Sequence, residues 1–534
     1  MSLRRNTFSL ACLTLGIGIA LAPFILPAAR GINSPAQRFS AGRAMQHIQV
    51  VAQEPHPIGS VASSGVRNYL LEKLLGMGLK PEIQHTASTS PYHSNPITVD
   101  NVLARIPGSG NGQAILIVTH YDSVAYGPGA GDNGSGTAVL LETARALLST
   151  SGLQNDVILL FEDGEEIGYL GGFAFARQHP WMQSVGVVIG LDTAARGPVM
   201  ILSAGPNNGR LIKQIGAAYR FPVANTFWLA AVNDVGGDDN ETTPYKDLGI
   251  PGIAIEDPYS FGEKHSAADT YEKVNPASVQ QMGDQTLALT RQLGNADLSQ
   301  EQKADVVFFT LWPFGVIEYP LSWSLSLVIL SSMLFILGVI LLVSKHPSNW
   351  AALGIGFGAG LGTLLASGLL GLVVSWLINR VYPVPNPYIE FFIPQMGWLY
   401  FAVLLVLTVL VSWFLAGGAG SSKPQSGLFI GNLLVWVVLM WVTIALMPKM
   451  AYMFTWPPLF GLCACLAAWI KPSRWVRQIL HGLTILVALV LFVPPILQGY
   501  LGSAFSQLPL LLGLAGLTAS LIIQSHRFFR VVPV

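Results

Sequence analysis

The sequence predicts an α/β domain, a mixed sheet with helices on both faces, joined to an all-α polytopic bundle of membrane-crossing helices. Apolar residues make up 51% of the 534-residue chain and charged residues 11%, against roughly 25% charged in soluble domains, so much of the surface must face lipid. Between about residues 31 and 320, short apolar runs alternate with amphipathic stretches, the order of a sheet with parallel strands covered by helices. After about Leu321, seven long apolar runs succeed one another. The expected domains are therefore residues 1–30, 31–310 and 311–534.

The first segment has Arg4 and Arg5 ahead of an apolar stretch from about Phe8 to Ala29. It reads as a retained signal anchor, with a cleaved signal peptide as the alternative; either one exports the polar domain. In that domain, Ala114–Val118, Val157–Phe161 and Val185–Leu191 read as buried strands. Gly136–Leu148 and Leu170–Gln178, between them, read as helices. No repeat is evident.

The seven runs lie near 323–343, 351–377, 396–415, 428–447, 452–470, 479–497 and 508–524. Each approaches the roughly 20 residues that span a bilayer. With Arg4 and Arg5 inside and eight crossings, the inner loops carry Lys345, Lys423, Lys471, Arg474, Arg477, Arg527 and Arg530, and the short outer loops only Arg380 and Lys449. That asymmetry obeys the positive-inside rule. The expected protein is multi-pass in the cell inner membrane, with its polar domain periplasmic and its C-terminus cytoplasmic.

Basic and acidic residues balance, 29 against 29, which gives no reason to expect a nucleic-acid partner. Cys12, Cys463 and Cys465 all lie in apolar runs, so the polar domain has no disulfide. The pair Cys463/Cys465 reads as packing rather than metal binding. Ion-coupled carriers place ionisable groups deep in the membrane. Here Glu390, Lys449, Lys471 and His481 fall near the expected ends of runs, which argues against coupled transport.

Five ligand-type residues sit at or beside the expected strand ends: His120, Asp132, Glu166, Asp192 and His265. In open α/β sheets the loops at the carboxyl ends of strands form the crevice where ligands bind. Carboxylates brought that close repel one another unless a dication joins them. Imidazole and carboxylate together suit zinc, with cobalt or manganese as substitutes. Five ligands exceed one tetrahedral site and suit two metals about 3.5–4 Å apart sharing a carboxylate. Glu165, beside Glu166, stays free to take a proton from activated water. Asp122, two residues after His120, is placed to accept the other imidazole N–H.

The segments His120-Tyr121-Asp122, Gly131-Asp132-Asn133-Gly134-Ser135-Gly136, Gly164-Glu165-Glu166-Ile167-Gly168, Leu191-Asp192 and His265-Ser266-Ala267-Ala268-Asp269-Thr270 resemble metallopeptidase family twenty-eight, the dizinc aminopeptidases. The multispanning C-terminal region is similar to the endoplasmic reticulum metallopeptidase and vacuolar membrane protease branch. The resemblance implies a zinc aminopeptidase-like fold and two Zn2+ ions. His120, Asp132 and Asp192 would hold one, and Asp132, Glu166 and His265 the other, with Asp132 bridging. It implies Glu165 as general base and later proton donor, Asp122 as the residue orienting His120, and a cis peptide after Asp132.

Between the fourth and fifth ligands the chain departs from the family pattern. There Asp238 or Glu241 is placed to meet a substrate amine and Tyr245 to steady the tetrahedral intermediate. The expected activity is hydrolysis of N-terminal residues from a peptide or protein substrate. Carboxypeptidase action, glutaminyl cyclisation and a non-catalytic binding module on a membrane scaffold stand as alternatives.

Overall fold

Alternation inside the apolar runs sets the two faces of one sheet. Ile115, Ile117, Leu159 and Ile189 enter one core, and Leu116, Val118, Ile158 and Val188 the other, as period-two side chains must. The computed structural model describes residues 2–531 except 111, 151, 206, 220, 231–239, 261–263, 300–302, 346–348, 382–393, 419–423, 471–472 and 504–506. The chain forms two units: Phe24–Thr310 with Phe314–Glu318, and Met1–Pro23 with Leu311–Pro313 and Tyr319–Val534.

Helix α1 (Ser2–Leu21) belongs to the second unit. The chain then runs α2 (Ala41–Val51), α3 (Val61–Gly76), β1 (Glu82–Ser88), β2 (Ile97–Ile106), β3 (Ala114–His120), α4 (Gly136–Leu148), β4 (Asp156–Glu162), α5 (Leu170–Gln178) and β5 (Val185–Leu191). It continues through β6 (Met200–Ala204), α6 (Gly209–Ala218), α7 (Thr226–Ala230), α8 (Thr243–Lys246), β7 (Gly252–Glu256), α9 (Pro276–Gly294), β8 (Val306–Leu311) and β9 (Gly315–Pro320). The expected strands and helices of this region form where the apolar runs place them.

The main sheet has the order β1-β2-β4-β3-β5-β7-β6. Strands β3, β4, β5 and β7 run parallel, while β1, β2 and β6 join antiparallel. Residues of α2, α3, α4, α6 and α9 cover one face and those of α5 and α8 the other, so the sheet is mixed and covered on both sides. Every residue of β3 and β4 is buried, which is why these strands read as unbroken apolar runs. Because four strands share a direction, their carboxyl ends lie on one edge. β3 ends at His120, level with Glu162 at the end of β4, and Leu191 at the end of β5 lies level with Ile255 of β7.

The second unit is all-helical beyond α1: α10 (Trp323–Lys345), α11 (Asn349–Val381), α12 (Pro394–Gly418), α13 (Gln425–Leu446), α14 (Ala451–Ile470), α15 (Arg474–Ser503) and α16 (Leu508–Val531). Among the described residues, eight helices are long and apolar enough to cross a membrane. Exposed Ile329, Leu330, Met333, Ile336, Leu337 and Ile340 give α10 an apolar outer face that suits lipid. Inside, Gly431 lets α13 lie against α11, since a Cβ there would strike the Leu353 carbonyl.

His481, expected near the end of a run, lies two turns inside α15 and is buried. Its Nε2 is 3.2 Å from the Ser9 hydroxyl and its Nδ1 2.8 Å from that of Ser525, and Ser9 also meets His526 Nδ1 at 2.9 Å. This chain of polar groups ties α1 to α15 and α16. Glu390 and Lys471 lie outside the described residues.

Candidate metal centre

His120 reaches the edge as the last residue of β3 and is 1% exposed. Its Nε2 faces Asp132 Oδ1 at 3.3 Å, Glu165 Oε2 at 3.6 Å and Asp192 Oδ1 at 3.9 Å. Its Nδ1 meets the Asp122 carbonyl oxygen at 3.0 Å and the Asp122 carboxylate at 3.6 Å. The carboxylate of Asp122 also accepts the backbone N–H of Glu165 at 3.1 Å and of Glu166 at 3.4 Å. It thus joins the end of β3 to the loop after β4.

Asp132 sits in the turn that opens α4, and its peptide bond to Asn133 is cis, as the resemblance implies. Asp269 holds the turn from outside. Its carboxylate accepts the N–H of Gly131 at 2.7 Å and of Asp132 at 2.9 Å. Only glycine fits at 131, because a Cβ would lie 2.9 Å from Asp269 Oδ1 and 2.8 Å from the Ala195 Cβ. Asn133 fixes the other side, donating its amide to Thr119 Oγ1 at 2.9 Å and to the Leu191 carbonyl at 2.8 Å.

His265 Nε2 lies 2.9 Å from Glu166 Oε2 and 3.2 Å from Asp132 Oδ2. The structure therefore brings all five sequence-predicted ligands together with Glu165 and Asp122. The sets His120/Asp132/Asp192 and Asp132/Glu166/His265 each offer three atoms within 4.8 Å of one another. Asp132 contributes one oxygen to each set.

The donor set fits metal on an independent ground. Among the described residues, both carboxylate oxygens of Asp132 and Oε1 of Glu166 are buried and accept no well-formed hydrogen bond, the nitrogens of His120, His265 and Lys264 standing 3.2–3.4 Å from those of Asp132. Buried charged oxygens so loosely partnered carry a large desolvation penalty, which a bound dication removes.

Burial first, then the charges of Glu166 and Asp192 against the opposing pull of His120, hold the Glu165 carboxyl well above the usual carboxylate range. Burial pushes Asp132 the same way, but Lys264, His120 and His265 overcome it and leave its carboxyl well below that range. Burial lowers His265, yet Asp132 and Glu166 outweigh it and bring its imidazole up to about 11.

Residues 101–290 match the model of Peptidase family M28. The chain carries a peptidase family M28 domain. The five ligands, Glu165 and Asp122 all fall inside the matched span. Endoplasmic reticulum metallopeptidase 1 of Homo sapiens is 27% identical over 395 residues, 68% of this chain and 42% of that protein. Vacuolar membrane protease of Candida dubliniensis is 24% identical over 420 residues, 74% of this chain and 43% of that protein. The chain thus spans about two-fifths of the length of these relatives.

Among solved structures, a glutaminyl cyclase of Porphyromonas gingivalis is 20% identical with TM-score 0.40, covering 48% of this chain and 99% of that one. A zinc aminopeptidase from Bacillus subtilis is 14% identical with TM-score 0.38, covering 51% and 98%.

Three charged residues of the M28 domain join the site without having been expected there. Lys264 places its Nζ 2.5 Å from Asp192 Oδ2, 3.4 Å from Asp132 Oδ1 and 3.5 Å from Glu256 Oε1. Glu256, the last residue of β7, is the third acid around that ammonium. Asp269 is the cradle of Asp132. Strand-end position was available as a signal for Glu256, and the short spacing from His265 for Asp269.

Glu241, fully buried, carries two carboxylate oxygens that accept no hydrogen bond from the described residues. Burial first, then Asp192 and Glu165, raise its carboxyl well above the usual range. Tyr245, expected to steady the intermediate, is instead 1% exposed in the core against Phe175, with its hydroxyl sealed in and unbonded among the described residues. The apolar cluster on the α5 face holds its ring. Asp238 lies outside the described residues.

Proposed function

We propose that this protein is a membrane-bound zinc aminopeptidase. The observation that carries the proposal is the convergence of His120, Asp132, Glu166, Asp192 and His265 into two buried ligand sets that share Asp132, with Glu165 beside them. His120, Asp132 and Asp192 would hold one Zn2+ and Asp132, Glu166 and His265 a second. When bound, the metals lower the pKa of water and polarise the scissile carbonyl.

The chain's own residues supply the rest. Glu165 takes the proton from the attacking water and returns it to the departing amine. A general base placed within reach of the attacking water can serve both steps. Asp122 fixes the His120 imidazole and, through the Glu165 and Glu166 N–H groups, the loop that carries the base.

Glu241 supports the amino-terminal reading over the carboxyl-terminal one. Burial, Asp192 and Glu165 hold its carboxyl uncharged until a cation approaches, and among the described residues it has no donor, which suits a substrate's α-ammonium rather than a substrate carboxylate. Residues 31–310 form the peptidase domain in this reading. Residues 1–30 are a retained anchor, and residues 311–534 the membrane domain. The asymmetry of loop charges supports a periplasmic catalytic domain and a cytoplasmic C-terminus in the cell inner membrane.

The test uses the full chain in detergent. Metal content is measured, and hydrolysis is monitored with free, amino-blocked and carboxyl-blocked peptides and with N-terminal glutamine peptides, with and without chelator. Chelator-sensitive release of N-terminal residues from free and carboxyl-blocked peptides is expected. Cleavage of amino-blocked peptides from the carboxyl end, or cyclisation of glutamine without hydrolysis, would replace this reading.

A further inference from the structure

Lys264 and His265 are neighbours in sequence, yet both side chains enter the same cluster. Both residues lie in a turn, where the strict alternation of side chains seen along a strand does not hold. Here His265 has φ 57, in the left-handed region that few non-glycine residues adopt. That kink turns the Lys264 ammonium and the His265 imidazole toward the same carboxylates.

Their targets divide cleanly. His265 Nε2 addresses Asp132 Oδ2 and Glu166 Oε2. Lys264 Nζ addresses Asp132 Oδ1 and Asp192 Oδ2, with Glu256 Oε1 behind. Asp132 Oδ1 is also the oxygen that faces His120. The ammonium therefore makes ion pairs with two of the three residues in the His120/Asp132/Asp192 set, and shares only Asp132, through its other oxygen, with the Asp132/Glu166/His265 set. Its side chain is 14% exposed, so water screens it little.

We infer that Lys264 is an internal cation competing with metal for Asp132 and Asp192, which makes the His120/Asp132/Asp192 position the weaker of the two and the one occupied second. The inference rests on the metallopeptidase reading and deepens it. A dication among those ligands must stay beside a like-charged ammonium or drive it off its carboxylates, and either lowers affinity. The Asp132/Glu166/His265 position meets no such rival among the described residues. The ammonium also offsets part of the negative charge of Asp192, Asp132 and Glu256 when metal is scarce.

The experiment is calorimetric titration of Zn2+ into the chelator-stripped full chain in detergent, with Co2+ absorption as a second readout. Wild type is expected to bind in two steps. Lys264→Met, which keeps the stem and removes the charge, should tighten the weaker step by about tenfold or more and leave the tighter one nearly unchanged. Lys264→Arg should behave as wild type. Stripped Lys264→Met should also melt lower than stripped wild type and gain more from metal. An unchanged or weakened second step in Lys264→Met overturns the inference.

If Lys264→Met does not fold, two ligand variants decide instead. His120→Ala should remove only the weaker step and His265→Ala the tighter one, and the reverse order overturns the inference. A wild type that binds no metal defeats the metallopeptidase reading itself. Two equal steps defeat only the competition by Lys264.

Discussion

The Asp122 carboxylate accepts the Glu165 backbone N–H at 3.1 Å while standing 3.6 Å from His120 Nδ1. One buried side chain thereby couples the position of a metal ligand to the position of the base. Asp122→Asn keeps the shape and one acceptor oxygen but loses the charge. Changes at such supporting groups cost about 10–100-fold in metal affinity or activity. Both readouts are expected to fall in Asp122→Asn, measured by metal titration and by kcat/KM on one peptide. A drop in neither would separate Asp122 from the site.

Glu165 makes a sharper case because it serves the reaction rather than the metal. Its raised carboxyl and its place beside His120 fit a proton carrier. Glu165→Gln should retain the wild-type metal content and lose about 10²–10⁴-fold in kcat. Full activity in a purified, metal-loaded Glu165→Gln would falsify the assignment.

Asp269 never faces the ligand atoms, yet it determines where Asp132 points. It accepts two N–H groups of the turn, from Gly131 and Asp132. Asp269→Ala leaves both donors buried without partners, at about 1–3 kcal/mol each. The melting temperature of the stripped protein should fall, and metal affinity with it. A variant that melts as wild type but loses metal would mean that Asp269 acts on the ligands by some route other than this turn.

Much of this site is legible in the sequence because its geometry is local. His120 is the terminal residue of an apolar run, Asp192 immediately succeeds another, and Glu165-Glu166 lie just past a third. A parallel sheet then does the gathering. Lys264 was not legible. It lies in a turn with His265 at φ 57, a local backbone shape that no apolar periodicity announces. Tyr245 failed for the opposite reason. Its place between ligands in sequence says nothing about the helix α8, which turns its ring into the apolar core on the far face of the sheet. His481 was misplaced because apolar content alone sets the start of a run, whereas α15 begins five residues earlier, at Arg474.

Glu241 tests how the substrate end is chosen. Among the described residues its two buried oxygens have no donor, and a substrate ammonium would supply one. Glu241→Gln keeps the volume and removes the charge. For peptides with a free amino terminus, KM should rise and kcat/KM fall by about tenfold or more, the scale of one charge-assisted hydrogen bond. Metal content should not change. Equal losses on amino-blocked and free peptides would show that Glu241 supports the fold of the site and does not read the amine.

Loop charge makes the orientation testable without any activity. Arg477, Arg527 and Arg530 fall at one end of their helices, while Arg380 and Lys449 fall at the other in the eight-crossing arrangement. Moving a lysine or arginine across the bilayer is opposed, so such a bias orients the whole bundle. A C-terminal green fluorescent protein fusion should fluoresce, and a cysteine introduced at the exposed Tyr126 should react with an impermeant maleimide in cells whose outer membrane has been opened. Labelling of Tyr126→Cys only after lysis would turn the M28 domain toward the cytosol. That result would leave the chemistry of the site intact while giving it a different set of substrates.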